Sequence, residues 1–157
     1  MVSSKWIYKV KQVENGSVGK QKAIFVAIGF SQVEGIDYNE ETFAPIARYS
    51  SIKSILALST QMGWKIHQMD EKTTFLNGMI EEEVYIELSK GFETFNKELH
   101  VCRLKRALYG LKQVPCAWYT RIDNYFTRLG FTKSEAYANL YHIVGEGKWL
   151  IIVFICR

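Results

Sequence analysis

The sequence has few of the residues that would mark a special class of protein. It holds only two prolines and no low-complexity tract, internal repeat or Pro/Gly/Ser linker. The three cysteines, Cys102, Cys116 and Cys156, are odd in number and far apart. They make no disulfide framework and no CxxC spacing, which points to a reducing compartment. The three histidines are scattered, so no His/Cys metal motif forms with them. The longest apolar run, Trp149 to Cys156, is far below the ~20 residues a membrane span needs. The first residues, MVSSKWIYKV, lack the apolar stretch of a secretory leader. The expectation is a soluble intracellular chain, cytoplasmic or nuclear, with no membrane partner.

What is present is an ordinary globular composition. Of 157 residues, 48% are hydrophobic and 23% charged, which excludes a disordered chain. The length suits about one domain. A net charge of +4 is compatible with a polyanionic partner but too mild to argue for one by itself. Aromatics make up 14%; core packing accounts for most of them, with base stacking as the sharper alternative.

Residues 5–13 alternate Trp6, Tyr8 and Val10 against Lys5, Lys9 and Lys11, the pattern of an exposed strand with one apolar face. Glu14-Asn15-Gly16-Ser17 is a turn signal, and 20–29 reads as the return strand. Gly35 to Thr42 reads as loop. Ser50 or Ser51 is placed to cap a helix carrying Ile52, Ile55, Leu56 and Met62 and ended by Gly63. Residues 64–70 read as a strand, Asn77-Gly78 as a turn, 83–88 as a short strand and 91–100 as polar loop. A second helix is expected from about Pro115 to Leu129, with Gly130 as its stop. Residues 139–144 and 148–155 flank Gly145-Glu146-Gly147 as a final hairpin. This order predicts an α+β fold with a mainly antiparallel sheet packed by two principal helices.

Several short words stand out: GFSQ at 29–32, GIDY at 35–38, TFAP at 42–45, HQMD at 67–70, FLNG at 75–78, EVYI at 83–86, LYGLKQ at 108–113 and AWY at 117–119. In order and spacing they resemble the fingers and first part of the palm of a Ty1/copia-type retrotransposon reverse transcriptase, across nearly the whole chain. The resemblance implies RNA-directed DNA polymerase chemistry: two Mg²⁺ ions, deoxynucleotide substrates and an RNA/DNA template-primer. It makes Asp70 the metal-binding catalytic carboxylate of a palm strand. It makes Phe75 the bulky side chain that abuts the nucleotide sugar, and Lys22 a fingers lysine near the triphosphate. Tyr109 and Gly110 become the palm loop that approaches the nucleotide. Each has a plainer reading: surface carboxylate, core aromatic, solvated strand lysine, turn glycine. The basic residues Arg103, Lys105, Arg106 and Lys112 could face template-primer phosphates, or form a solvated face. By the same resemblance residues 1–157 form one partial domain, about 1–50 fingers-like and 51–157 palm-like with an inserted fingers segment.

The chain also departs from the pattern. The aspartate pair of the family's YVDD turn is expected at or just past Arg157, leaving Asp70 as one carboxylate where a two-ion centre needs three. On a strand, Glu71 points away from Asp70 and becomes a costly buried charge. Ile24 stands where an arginine grips the triphosphate, Ile28 where a lysine is usual, and Cys116 where an arginine is usual. Tyr137-Ala138 replaces Asp-Pro, and Glu40-Glu41 holds one residue more than the usual NETF spacing. The expectation is a degenerate, catalytically silent piece, truncated within the last palm hairpin, with an apolar edge that favours aggregation. The alternatives are a non-catalytic nucleic-acid-binding module, or one part of a longer active polyprotein.

Overall fold

A computed structural model describes residues 1–39, 42–44, 46–87 and 100–155. Glu40-Glu41, Pro45 and the Cys156-Arg157 terminus lie outside these. So do Leu88, the end of one expected strand, and most of the expected loop at 91–100.

The chain packs as two compact units, Met1–Phe43 with Thr73–Trp118, and Ala44–Lys72 with Tyr119–Arg157. The α+β class is as expected. Among the described residues the sheet content, however, is divided among three small antiparallel sheets of two, two and three strands.

In the first unit, β1 (Ser4–Gln12) and β2 (Val18–Ala27) form the expected hairpin. Its turn is built as the sequence suggests. Gly16 takes a φ of +81°, and the Asn15 side chain accepts from both the N–H and the hydroxyl of Ser17, at 3.0 and 2.7 Å. β3 (Tyr85–Ile86) and β4 (Cys102–Arg103) make a two-residue ladder, shorter than the expected 83–88 strand. Val2 inserts beside it: its N–H donates to the Tyr85 carbonyl at 2.8 Å and its own carbonyl accepts from Glu87 at 3.2 Å. The core consists of Val2, Ala27, Val84, Ile86, Ala107, Leu111 and Val114, with Phe25, Phe75 and Leu108 among the half-buried residues packed on it.

In the second unit, α1 (Tyr49–Gln61) ends at Gly63, φ +65°. Its N-cap is Arg48 and makes no side-chain cap, so Ser50 and Ser51 lie inside the first turn instead of capping it. The Arg48 N–H donates to the Tyr137 hydroxyl at 3.1 Å. β5 (Thr132–Lys133), β6 (Leu140–Gly145) and β7 (Lys148–Val153) form the three-stranded sheet. The β6–β7 turn has positive φ at both Glu146 and Gly147, the two-residue geometry that matches strand twist. Helix α2 (Val114–Arg128) begins in the first unit and finishes in the second. Its apolar face meets the sheet through rings: Phe126 lies 5.1–5.6 Å from Phe131, Tyr141 and Phe154.

The expected strand at 64–70 does not form. A strand exists only by virtue of a ladder partner, and no described residue pairs with this segment. The Trp64 N–H instead bonds back to Ser59 of α1 at 2.8 Å, and Ile66 and Met69 face solvent. Glu71 is exposed, so the expected buried-charge penalty does not arise.

Candidate functional site

Three of the candidate residues meet in the first unit. A 3₁₀ turn over Thr74–Asn77 presents Phe75, whose ring stands edge-on to Tyr109 and to Trp118, each at 6.0 Å between centroids. The turn sits close against α2 because Gly78 has no side chain. A β-carbon there would meet the Trp118 N–H and the Ala107 and Ala117 methyls at 3.3–3.4 Å. Tyr109 is tied to the end of β2 by a bond from the Ala27 N–H to its carbonyl, 2.7 Å. Gly110 follows with a φ of +94°. The space its β-carbon would need is occupied by the Ala27 backbone, so its lack of a side chain serves a chain-to-chain approach. Phe75 also packs on the core, which is its plain reading.

Lys22 stands apart from these. It is exposed on β2, opposite Lys9. Five residue steps separate it from Ala27, roughly 17 Å along the strand. Asp70 belongs to the second unit, exposed and in irregular backbone after α1. Among the described residues no three His, Cys, Asp or Glu side chains gather to hold a metal. Among the described residues the donors around Asp70 do not fit a two-ion Mg²⁺ centre.

Three of the words, GFSQ, GIDY and LYGLKQ, make the structural lock of the first unit. Gln32 Nε2 donates to Gln113 Oε1 at 2.9 Å, Gln113 Nε2 donates to the Asp37 carbonyl at 2.9 Å, and the Lys112 N–H donates to Gln32 Oε1 at 2.8 Å. The Asp37 carboxylate accepts from the Val33 N–H at 2.8 Å. All three side chains are buried. GFSQ, GIDY and LYGLKQ are thereby pinned together. The available signal was an amide or carboxylate side chain within each word: Gln32, Asp37 and Gln113. The basic residues nearby are partly spoken for: Arg103 pairs with Glu83 at 2.7 Å, and Lys112 donates to the Tyr38 hydroxyl at 2.9 Å above its ring.

A second polar cluster lies in the other unit. Tyr141, fully buried, donates to Asp123, which also pairs with Lys133 at 3.1 Å. Tyr119 donates to the Ala138 carbonyl at 2.8 Å and lies 3.4 Å from the Tyr141 hydroxyl. Burial, reinforced by the bond to Asp123, pushes the Tyr141 phenol far above its ordinary pKa of 10.0. For Lys133, burial acts downward, but the bonds to Tyr119 and Asp123 outweigh it and the pKa rises. The Tyr137-Ala138 departure is thus integrated: one residue holds Arg48, the other Tyr119.

The chain belongs to the reverse transcriptase (RNA-dependent DNA polymerase) family, whose model matches residues 1–156. Within that family it is of the copia type carried by retrotransposon Pol polyproteins. It is 36% identical over 155 residues to the retrovirus-related Pol polyprotein from transposon RE1 of Arabidopsis thaliana, covering 99% of this chain and 10% of that protein. It is 40% identical over 137 residues to the corresponding polyprotein from transposon TNT 1-94 of Nicotiana tabacum, covering 87% and 10%. The Ty1-BL Gag-Pol polyprotein of Saccharomyces cerevisiae is 31% identical over 110 residues, 70% of this chain and 6% of that one. The chain thus spans about a tenth of the length of the first two relatives. No solved structure matches it. No helix among the described residues is long and apolar enough to cross a membrane.

Proposed function

We propose that this chain is the fingers and first palm segment of a copia-type RNA-directed DNA polymerase, and that by itself it does not polymerise. The observation that carries the reading is the meeting of Phe75, Tyr109 and Gly110 in one unit, on words that match the family in order. In this reading Phe75, held edge-on by Tyr109 and Trp118, abuts the nucleotide sugar. Asp70 is the one metal-binding carboxylate the segment contributes. Two-metal transfer needs further carboxylates, which this chain does not bring together among its described residues. Deoxynucleotides and a template-primer are the proposed substrates, and Mg²⁺ the proposed metal of the assembled centre. The span of about one tenth of the relatives supports a segment acting within a longer polyprotein.

The test is primer extension by the purified chain with Mg²⁺ and deoxynucleotides. No incorporation is expected. Incorporation that Asp70→Asn abolishes overturns the reading of an inactive segment.

A further inference from the structure

Asparagine is followed by glycine at Asn15-Gly16 and again at Asn77-Gly78. In such a pair the glycine nitrogen can attack the side-chain carbonyl carbon of the asparagine, because glycine has no β-carbon to obstruct the approach. The fold treats the two pairs differently.

Asn15-Gly16 forms the tip of the β1–β2 hairpin. The Gly16 N–H donates to the Val13 carbonyl at 2.8 Å, and the Val13 N–H donates to the Ser17 carbonyl at 3.0 Å. Gly16, at a φ of +81°, closes this short loop. Asn15 Oδ1 accepts from the Ser17 N–H at 3.0 Å and from its hydroxyl at 2.7 Å. Two donors on that oxygen draw electron density from the carbon that would be attacked. The Gly16–Val13 bond must open before the Gly16 nitrogen can react. Every residue from 7 to 23 is exposed, and a β-carbon on Gly16 would meet nothing within 4 Å. With no core packing to resist it, a loop tip of this kind opens at little cost.

Asn77-Gly78 ends the 3₁₀ turn over Thr74–Asn77. Gly78 is buried, its N–H donates to the Phe75 carbonyl at 3.2 Å, and its carbonyl accepts from the Ala107 N–H at 3.1 Å. The Trp118 backbone of α2 stands against it. Freeing this nitrogen means lifting the turn off α2 and off the core that holds Phe75. The same dipeptide is shut in one place and open in the other.

We propose that Asn15 is a site of spontaneous deamidation in the folded chain and that Asn77 is protected from it. The Gly16 nitrogen loses its proton to solvent base and bonds to the Asn15 side-chain carbonyl carbon. The side-chain amide leaves as ammonia, and a five-membered succinimide remains. Water opens this ring at the side-chain carbonyl to give aspartate, or at the backbone carbonyl to give isoaspartate. One water is consumed, one ammonia is released, and nothing is oxidised or reduced. Either product lowers the net charge of +4 by one. Aspartate keeps an acceptor for Ser17, with its charge strengthening the bond. Isoaspartate inserts the side-chain methylene into the main chain of the loop, which disrupts the Val13–Ser17 closure. None of this depends on the polymerase reading.

The test is incubation of the whole chain in mildly alkaline buffer, with peptide mapping by mass spectrometry at both pairs over time. Asn15 should convert to both products, and Asn77 at least about tenfold more slowly, since its opening approaches global unfolding. In urea the two should convert at similar rates, because the fold alone sets the difference. Gly16→Ala should slow conversion at Asn15 even though the strained turn opens more readily, because the new methyl group obstructs the attack. Native conversion at Asn77 as fast as at Asn15 overturns the proposal. So does an intact Asn15 in the folded chain over a period in which the urea-unfolded chain converts. An undiminished rate in Gly16→Ala overturns the cyclic route.

Discussion

A β-carbon on Gly110 would stand 3.0 Å from the carbonyl carbon of Ala27 and closer still to its oxygen. The end of β2 and the Tyr109–Gly110 loop touch backbone to backbone, and a β-carbon on Gly29 would likewise meet the Gly110 carbonyl oxygen, at 2.3 Å. Gly110→Ala should therefore cost at least about 3 kcal/mol, from strain at positive φ plus displacement of β2. Gly16→Ala, also at positive φ but with open space around it, should cost about 1 kcal/mol. Urea unfolding of the two variants separates backbone strain from close approach. Equal losses would remove the approach from the account.

The buried amide pair offers a second check. Gln113→Leu leaves the Gln32 amide N–H and the Asp37 carbonyl without their partner. The expected loss is about 2–3 kcal/mol. Adding Gln32→Leu should cost less than the sum of the single losses, because both act in one network. A double-mutant cycle showing simple additivity would mean that the two amides do not interact.

The tyrosine cluster makes a prediction about pH. Above pH 10 the unfolded state loses the Tyr141 proton while the folded state keeps it, so the unfolded state binds fewer protons and stability falls as pH rises. Lys133, whose pKa is also raised, is lost to stability in the same direction above its ordinary 10.5. Stability should be insensitive to these groups below pH 10 and decline above it. Tyr141→Phe should be less stable at neutral pH, through the lost bond to Asp123, and should show a shallower alkaline decline. Thermal midpoints across pH 8 to about 11 read both effects.

Asp70 gives the opposite expectation. It is exposed in irregular backbone, so Asp70→Asn should change stability by no more than about 0.5 kcal/mol. Titration calorimetry of the chain with Mg²⁺ should show no tight site, since Mg²⁺ held by one carboxylate keeps most of its water. Tight binding lost in Asp70→Asn would mean that other carboxylates join it.

Local signals in the chain were enough for a good part of the architecture. The Asn15-Gly16 turn, the Gly63 and Gly130 helix stops, and the Gly145-Glu146-Gly147 hairpin are written in residues whose conformational preferences act over four or five positions. Helices α1 and α2 follow from apolar spacing, which fixes one face of a helix whatever lies against it. The motif words also identified the family without any knowledge of contacts. The two-residue strands β4 and β5 left no trace, because two residues have no period, whereas β3 lies inside the strand expected at 83–88.

Tertiary structure alone decided the rest. It put Val2 in the core and joined Gln32, Asp37 and Gln113 from three distant words. It set Tyr137 against Arg48 and withheld a ladder from 64–70 despite its strand-like composition. It also placed Lys22 among three other lysines and away from Tyr109. Each outcome depends on which partner is near in space. A strand without a neighbour, a buried amide without an acceptor, or a lysine without its register has no defined role in the one-dimensional chain, because the energies that settle it arise only between segments remote in sequence.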